Sequence, residues 1–245
     1  TKETLSKYSK NYFPKIEAYI KFNKPYKLAG ILCDYFNRLV KYYKLYDEIQ
    51  NVYKQIVDNE LYDAPLMLEW NTWRAMTMLD GGNVKANLNF DDFGNPISTA
   101  AGNMADIVCD YGDFMLSVEV TLANGQKQYD MEGEPVSRHL GRLKRDSGKP
   151  CYCLFVAPNI NEACVAHFYA LHQMNISYYG GKSVIVPLPM KVFQKMLEDS
   201  YKAAYIPNPA HVKSFFEKSL EIVNTSESET YWFEKIQQIA MNWLP

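Results

Sequence analysis

The sequence predicts an α/β domain with a mixed central β-sheet flanked by helices, preceded by a helical region. Three observations carry this expectation. From residue 63 onward the pattern runs helix, two-strand hairpin, then strand, helix, strand and helix, the succession expected of a sheet with helical crossovers. Hydrophobic residues make up 47% of the 245 positions and charged residues 22%, the balance of a globular chain able to bury a sizeable core. Before residue 60, by contrast, the apolar spacing is helical throughout.

Taking the elements in order, residues 5–60 set Tyr, Lys, Leu and Ile at helical spacing with breaks at Pro14 and Pro25. This predicts three helices, the last over 28–57. Residues 1–60 carry eleven Lys or Arg against seven Asp or Glu, with nine tyrosines interleaved. That basic, aromatic surface suits either a linker bundle or a DNA-backbone contact. Asp63-Ala64-Pro65 then opens a helix over 66–79, with Asp63 as N-cap and Asp80-Gly81-Gly82 as its stop. Residues 83–103 read as loop-rich, with Gly94-Asn95-Pro96 a turn signal.

The stretch from Ala105 to Thr121 reads as strand, turn at Tyr111-Gly112-Asp113, and second strand. Glu134-Pro135 predicts the start of the next helix, with Pro135 at its first position. That helix carries Arg138, His139, Arg142, Lys144 and Arg145, the densest basic segment of the chain. A buried strand over 151–158, a helix over 161–174, a strand over 183–188 and helices over 190–204, 209–224 and 229–243 complete the expectation.

The net charge of −2 provides no global attraction to nucleic acid, so any such binding must rest on local patches. Five cysteines, at 33, 109, 151, 153 and 164, form no CxxC pair. With no secretory signal they read as reduced, mostly buried thiols of a cytoplasmic protein. No apolar run approaches about 18 residues, so no membrane span is expected. The opening on Thr1 without an initiator Met suggests a processed product or an excised fragment.

Chemistry concentrates on the hairpin. In its second strand, alternation sets Ser117, Glu119 and Thr121 on one face and Leu116, Val118 and Val120 on the other. A carboxylate thus stands where a half-buried strand normally keeps a neutral group, and a divalent cation shared with Asp106 would compensate it. Metal-dependent cleavage of a phosphodiester needs hard oxygen ligands around Mg²⁺, for which Mn²⁺ can substitute, and a cation-rich neighbourhood for the phosphate. Asp106 and Glu119 converge on one ion if their strands pair, and the Val120 carbonyl can be a third ligand. Glu69 shares a helix face with Trp73 and Met76 and can reach the same pocket, or simply pair locally. His139, flanked by Arg138 and Arg142, has the side chain suited to orienting or deprotonating a water near neutrality. Lys127, just after the strand, and the two arginines are candidate phosphate contacts.

These residues resemble the PD-(D/E)xK nucleases, and within them the AlwI-like type IIS restriction and nicking endonucleases. The matching features are Glu69, Asp106, the Glu119-Val120-Thr121 triplet and the helix segment Pro135-Val136-Ser137-Arg138-His139-Leu140. The similarity covers residues 63–190 and is greatest to the strand-nicking large subunits of heterodimeric type IIS enzymes. It implies a PD-(D/E)xK nuclease-like core, a helical linker over 1–62 and a nuclease catalytic domain over 63–245. It further implies double-stranded DNA as substrate, Mg²⁺-dependent hydrolysis of one strand, a DNA-recognition domain missing from the N-terminal side, and a second small nuclease subunit for the other strand. Two positions depart from the motif: Ala105 replaces its proline and Thr121 its lysine. The resemblance implies that His139 takes over from that lysine. The alternative is a non-catalytic nuclease-like module that binds DNA or protein.

Overall fold

Strand β6 (Cys151–Ala157) is buried along its whole length, which is how a strand reads when helices cover both faces of a parallel sheet. The computed structural model describes residues 45–79, 82–92, 95–203 and 207–245. The expected helices before residue 45 and Cys33 lie outside the described residues. Around β6 a five-stranded sheet forms in the order β1 (Asn83–Ala86), β4 (Ile107–Asp110), β5 (Met115–Val120), β6, β7 (Ile185–Pro189). Strand β4 runs antiparallel to both its neighbours, β1 and β5, and β5, β6 and β7 are parallel. The sheet is therefore mixed, as expected.

Helices follow the expected order: α1, described over 45–57, then α2 (Ala64–Leu79), α3 (Gly125–Ser147), α4 (Glu162–Gln173), α5 (Met190–Lys202), α6 (Pro209–Thr225) and α7 (Glu229–Ala240). Helices α2 and α5 touch each other, α2 lying against β1 and β5 and α5 against β6 and β7, while α3 and α4 pair with each other against β5, β6 and β7. Two helical layers thus sandwich the strands. Asp63 caps α2 as expected, its Oδ1 accepting the Leu66 N–H at 3.1 Å. Helix α1 packs directly into the core rather than standing apart. Ile49 and Tyr53 are fully buried, the Tyr53 hydroxyl lies 3.0 Å from Thr72 Oγ1, and Asn71 donates to the Ile49 carbonyl at 2.9 Å.

Two expectations need correction. Residues 83–103 are not merely loop: β1 forms an edge of the main sheet, and β2 (Asn89–Phe90) pairs with β3 (Pro96–Ser98) in a small separate hairpin. The four residues of β1 alternate between exposed and half-buried, a short polar pattern with little apolar signal to read. The second correction concerns α3, which begins at Gly125 and carries Pro135 inside it. Proline removes one hydrogen bond and crowds the preceding turn, and buried Gln128 offsets that by anchoring the first turns. Its Nε2 donates to the Ala123 and Asn159 carbonyls at 2.8 and 2.9 Å, and its Oε1 accepts the Asn161 N–H at 2.7 Å. Gly148, at φ 62°, ends the helix by donating its N–H to the Lys144 carbonyl.

Much of the basic character of α3 is committed to holding a loop. Lys144 Nζ donates to the Lys182 carbonyl at 2.6 Å and Arg145 Nη1 to the Tyr178 carbonyl at 2.8 Å. Gly141 lets the same loop approach: a Cβ there would sit 2.9 Å from Tyr179 Cα and 3.1 Å from its carbonyl oxygen. Gly141→Ala is expected to destabilise the fold by about 1–3 kcal/mol through overpacking against backbone. An unchanged urea midpoint would show that the loop gives way freely. Among the described residues Cys109, Cys151, Cys153 and Cys164 are buried and form no disulfide. Among the described residues no helix is long and apolar enough to cross a membrane.

Candidate active site

The register of β4 on β5 places Ile107 opposite Val118, so the next step along both chains sets Asp106 opposite Glu119. Residues directly opposite in an antiparallel pair share a face. Each carboxylate bonds the facing strand's backbone: Asp106 Oδ2 accepts the Val120 N–H at 2.8 Å, and the Asp106 N–H stabilises the Glu119 carboxylate. Glu69 reaches in from α2, its Oε2 accepting the Ala100 N–H at 2.9 Å. From α3, His139 Nδ1 lies 2.9 Å from Glu119 Oε1. The structure therefore brings Glu69, Asp106, Glu119 and His139 together, with the Val120 main chain beside them.

A fifth residue joins them that the sequence reading passed over. Glu132 lies two turns before His139 on α3, is bonded by the Thr121 hydroxyl, and interacts electrostatically with His139, Glu119 and Asp106. The seven-residue spacing to His139 marks a shared helix face, a signal hidden by starting that helix at Glu134. Thr121, standing where the motif has lysine, thus fixes a carboxylate rather than contributing a charge.

Four carboxylates in one desolvated place repel one another. Burial, then Glu119 and Glu69, hold the Asp106 carboxyl well above the usual range. Burial, then Glu132, does the same to Glu119, while burial is also the largest cause raising Glu69 and Glu132. Such a set demands a cation or protons. His139 moves the other way, to about 4, because burial and then Arg138 and Arg142 disfavour its charged form. At neutral pH the imidazole is uncharged, so its contact with Glu119 is a hydrogen bond rather than an ion pair. With ionised Glu119 as acceptor, Nδ1 carries the proton, and the tautomer so assigned leaves Nε2 with a lone pair. That Nε2 is buried with no hydrogen-bond partner.

The candidate phosphate contacts divide. Arg138 pairs with Glu134 at 3.1 Å and donates to the Asn103 side chain, and Arg142 donates to the Asn103 carbonyl at 2.6 Å. Both flank the cluster. Lys127 stands exposed in the first turn of α3, about 18 Å from His139 along the helix axis at 1.5 Å per residue, and the structure does not bring it to the arginines.

Among the described residues no three His, Cys, Asp or Glu side chains form a ready metal cage. The donor set nonetheless suits a hard divalent cation, which takes carboxylate and main-chain oxygens and keeps several waters. Two carboxylates and the Val120 carbonyl satisfy that demand, and mutual repulsion in the cluster is what a cation would relieve.

A family model described as AlwI restriction endonuclease matches residues 3–196. Among solved structures, the small subunit of the heterodimeric restriction endonuclease R.BspD6I is similar, with 26% identity and a TM-score of 0.64, covering 81% of this chain and 97% of that chain. The similar structure is thus a small subunit, where the sequence resemblance pointed to large ones. No curated protein sequence gives a significant match.

Proposed function

The chain belongs to the AlwI restriction endonuclease family, and from that premise we propose that it hydrolyses one phosphodiester of double-stranded DNA with Mg²⁺ held by Asp106, Glu119 and the Val120 carbonyl. One observation supports this most: Asp106 and Glu119 face each other across paired strands inside a group of four desolvated, mutually repelling carboxylates. Bound there, the ion would polarise the scissile phosphate and lower the pKa of a water. The chain's own residues do the rest. Glu119 fixes the His139 tautomer, so that Nε2 can take the proton of the attacking water. Glu132, steadied by Thr121, and Glu69, steadied by Ala100, complete the acidic surround. Arg138 and Arg142 supply positive charge for phosphate oxygens, with Lys127 a more remote contact.

One such site faces one phosphate, so the proposal is a nicking activity. Cleavage of the other strand then falls to a second nuclease subunit, and target reading to a recognition domain outside these residues. The similar structure being a subunit of a heterodimeric enzyme supports that division. A second reading, a nuclease-like module that binds DNA or protein without cutting, draws on Thr121 in the lysine position. Supercoiled plasmid separates the two. The proposal expects conversion to nicked circles with Mg²⁺ or Mn²⁺ and none in EDTA; DNA binding that is equal with and without EDTA, with no nicked product, refutes it.

A further inference from the structure

We propose that Asn103 is a positioning residue: its turn holds Arg138 and Arg142 side by side through neutral acceptors, so that the arginine pair meets a DNA phosphate at a fixed distance from the carboxylates. The inference rests on the cleavage reading above. Asn103 is exposed and adopts φ 73°, a left-handed conformation that asparagine tolerates better than most residues. There its side-chain oxygen accepts from Arg138 and its carbonyl from Arg142 at 2.6 Å.

The turn is attached to the carboxylate cluster on both sides. Ala100 donates to Glu69 at 2.9 Å. Asn87 holds the other end, its side chain donating to the Ala105 carbonyl at 2.6 Å and its N–H to the Asp106 carbonyl at 2.9 Å. A short piece of main chain therefore spans Glu69, the arginine pair and Asp106. Its role is electrostatic as well as mechanical. Arg138 already pairs with Glu134, so a carboxylate at Asn103 would hold it equally well but add a second negative charge beside the pair, whereas an amide and a carbonyl leave the charge of Arg142 for the substrate. Among the described residues Arg142 has no carboxylate partner, and a guanidinium has five N–H donors, most of them still to be used.

The choice of asparagine makes the idea testable, because Asp and Gly both accept the left-handed turn. If Asn103 served the turn alone, Asn103→Asp and Asn103→Gly would both be silent. The proposal expects Asn103→Asp to raise KM for plasmid nicking about tenfold, the scale of one lost charge-assisted hydrogen bond, with kcat changed less than about twofold. Its log-log salt dependence for binding a duplex in Ca²⁺ should flatten by about one unit, as for one phosphate contact. Asn103→Gly should show a smaller rise in KM and an unchanged slope. In an Arg142→Ala background the Asp substitution should lose much of its effect. Parental KM and salt slope in Asn103→Asp, with the parent active, would overturn the role of Asn103 alone. A parent that neither nicks nor binds the duplex would overturn the cleavage reading and this inference with it.

Discussion

Asp106→Asn and Glu119→Gln are each expected to abolish Mg²⁺-dependent nicking while raising the melting temperature of the metal-free protein. The first effect follows from the proposed ligand role: losing several kcal/mol of transition-state stabilisation at 1.36 kcal/mol per tenfold slows the reaction by about 10³-fold or more. The second follows from the same geometry. Both carboxyls have folded-state pKa values raised, Asp106 by burial and then Glu119 and Glu69, and Glu119 by burial and then Glu132, so the folded protein binds their protons more tightly than the unfolded chain. Their stabilising protonation is complete below the unfolded carboxylate pKa and is lost as pH rises through the raised folded value. Above the unfolded carboxylate pKa, keeping these carboxyls in the folded site is therefore a cost, and a neutral isostere removes part of it. Each pKa unit so relieved is about 1.4 kcal/mol, or about 2–4 °C in a chain of this size. Mg²⁺ should raise the melting temperature of the parent and do so less in either variant. Nicking within tenfold of the parent by both variants would dismiss the ligand assignment.

The parts of this site that the sequence displayed are those with a short period. Alternation along Met115–Val120 exposed Glu119 as a misplaced carboxylate, and the turn at Gly112 fixed which residue would face it. Glu69 was legible because Asp63 marked the start of its helix and helical spacing set it on a face with Trp73 and Met76. What was not legible depended on long-range compensation. Pro135 is a good first residue of a helix, and only the burial of Gln128 against Asn159 and Asn161 reveals why α3 begins earlier. Glu132 was lost with that boundary. The strand β1 escaped because an edge strand of four residues needs no apolar face, and Asn103 because nothing local announces which side chains a turn will meet. The basic run of α3 was misleading in a different way. Lys144 and Arg145 are occupied by carbonyls of the 178–182 loop, so charge density along a helix overstated what can meet DNA.

Replacing His139 by Ala should reduce kcat by about 10²–10⁴, the range for loss of a general base, while Mg²⁺ affinity measured by calorimetry changes little. Taken alone, that result would leave two roles entangled, because His139 also bonds Glu119 at 2.9 Å and its removal frees the carboxylate proposed as a metal ligand. The two nitrogens allow them to be parted. An asparagine at 139 can place its amide N–H where Nδ1–H now meets Glu119, yet it has no counterpart to Nε2, the buried nitrogen left without a partner. If proton transfer is the role, His139→Asn should be nearly as slow as His139→Ala, and added imidazole should speed the Ala variant by filling the space. If instead the ring serves only to hold Glu119, Asn should restore most of the rate and imidazole should add nothing to it. The second outcome would leave the water to be activated without a side-chain base from α3, and the duty assigned to His139 in place of the missing lysine at Thr121 would pass to Glu132, whose carboxylate is the remaining candidate base on the same helix face.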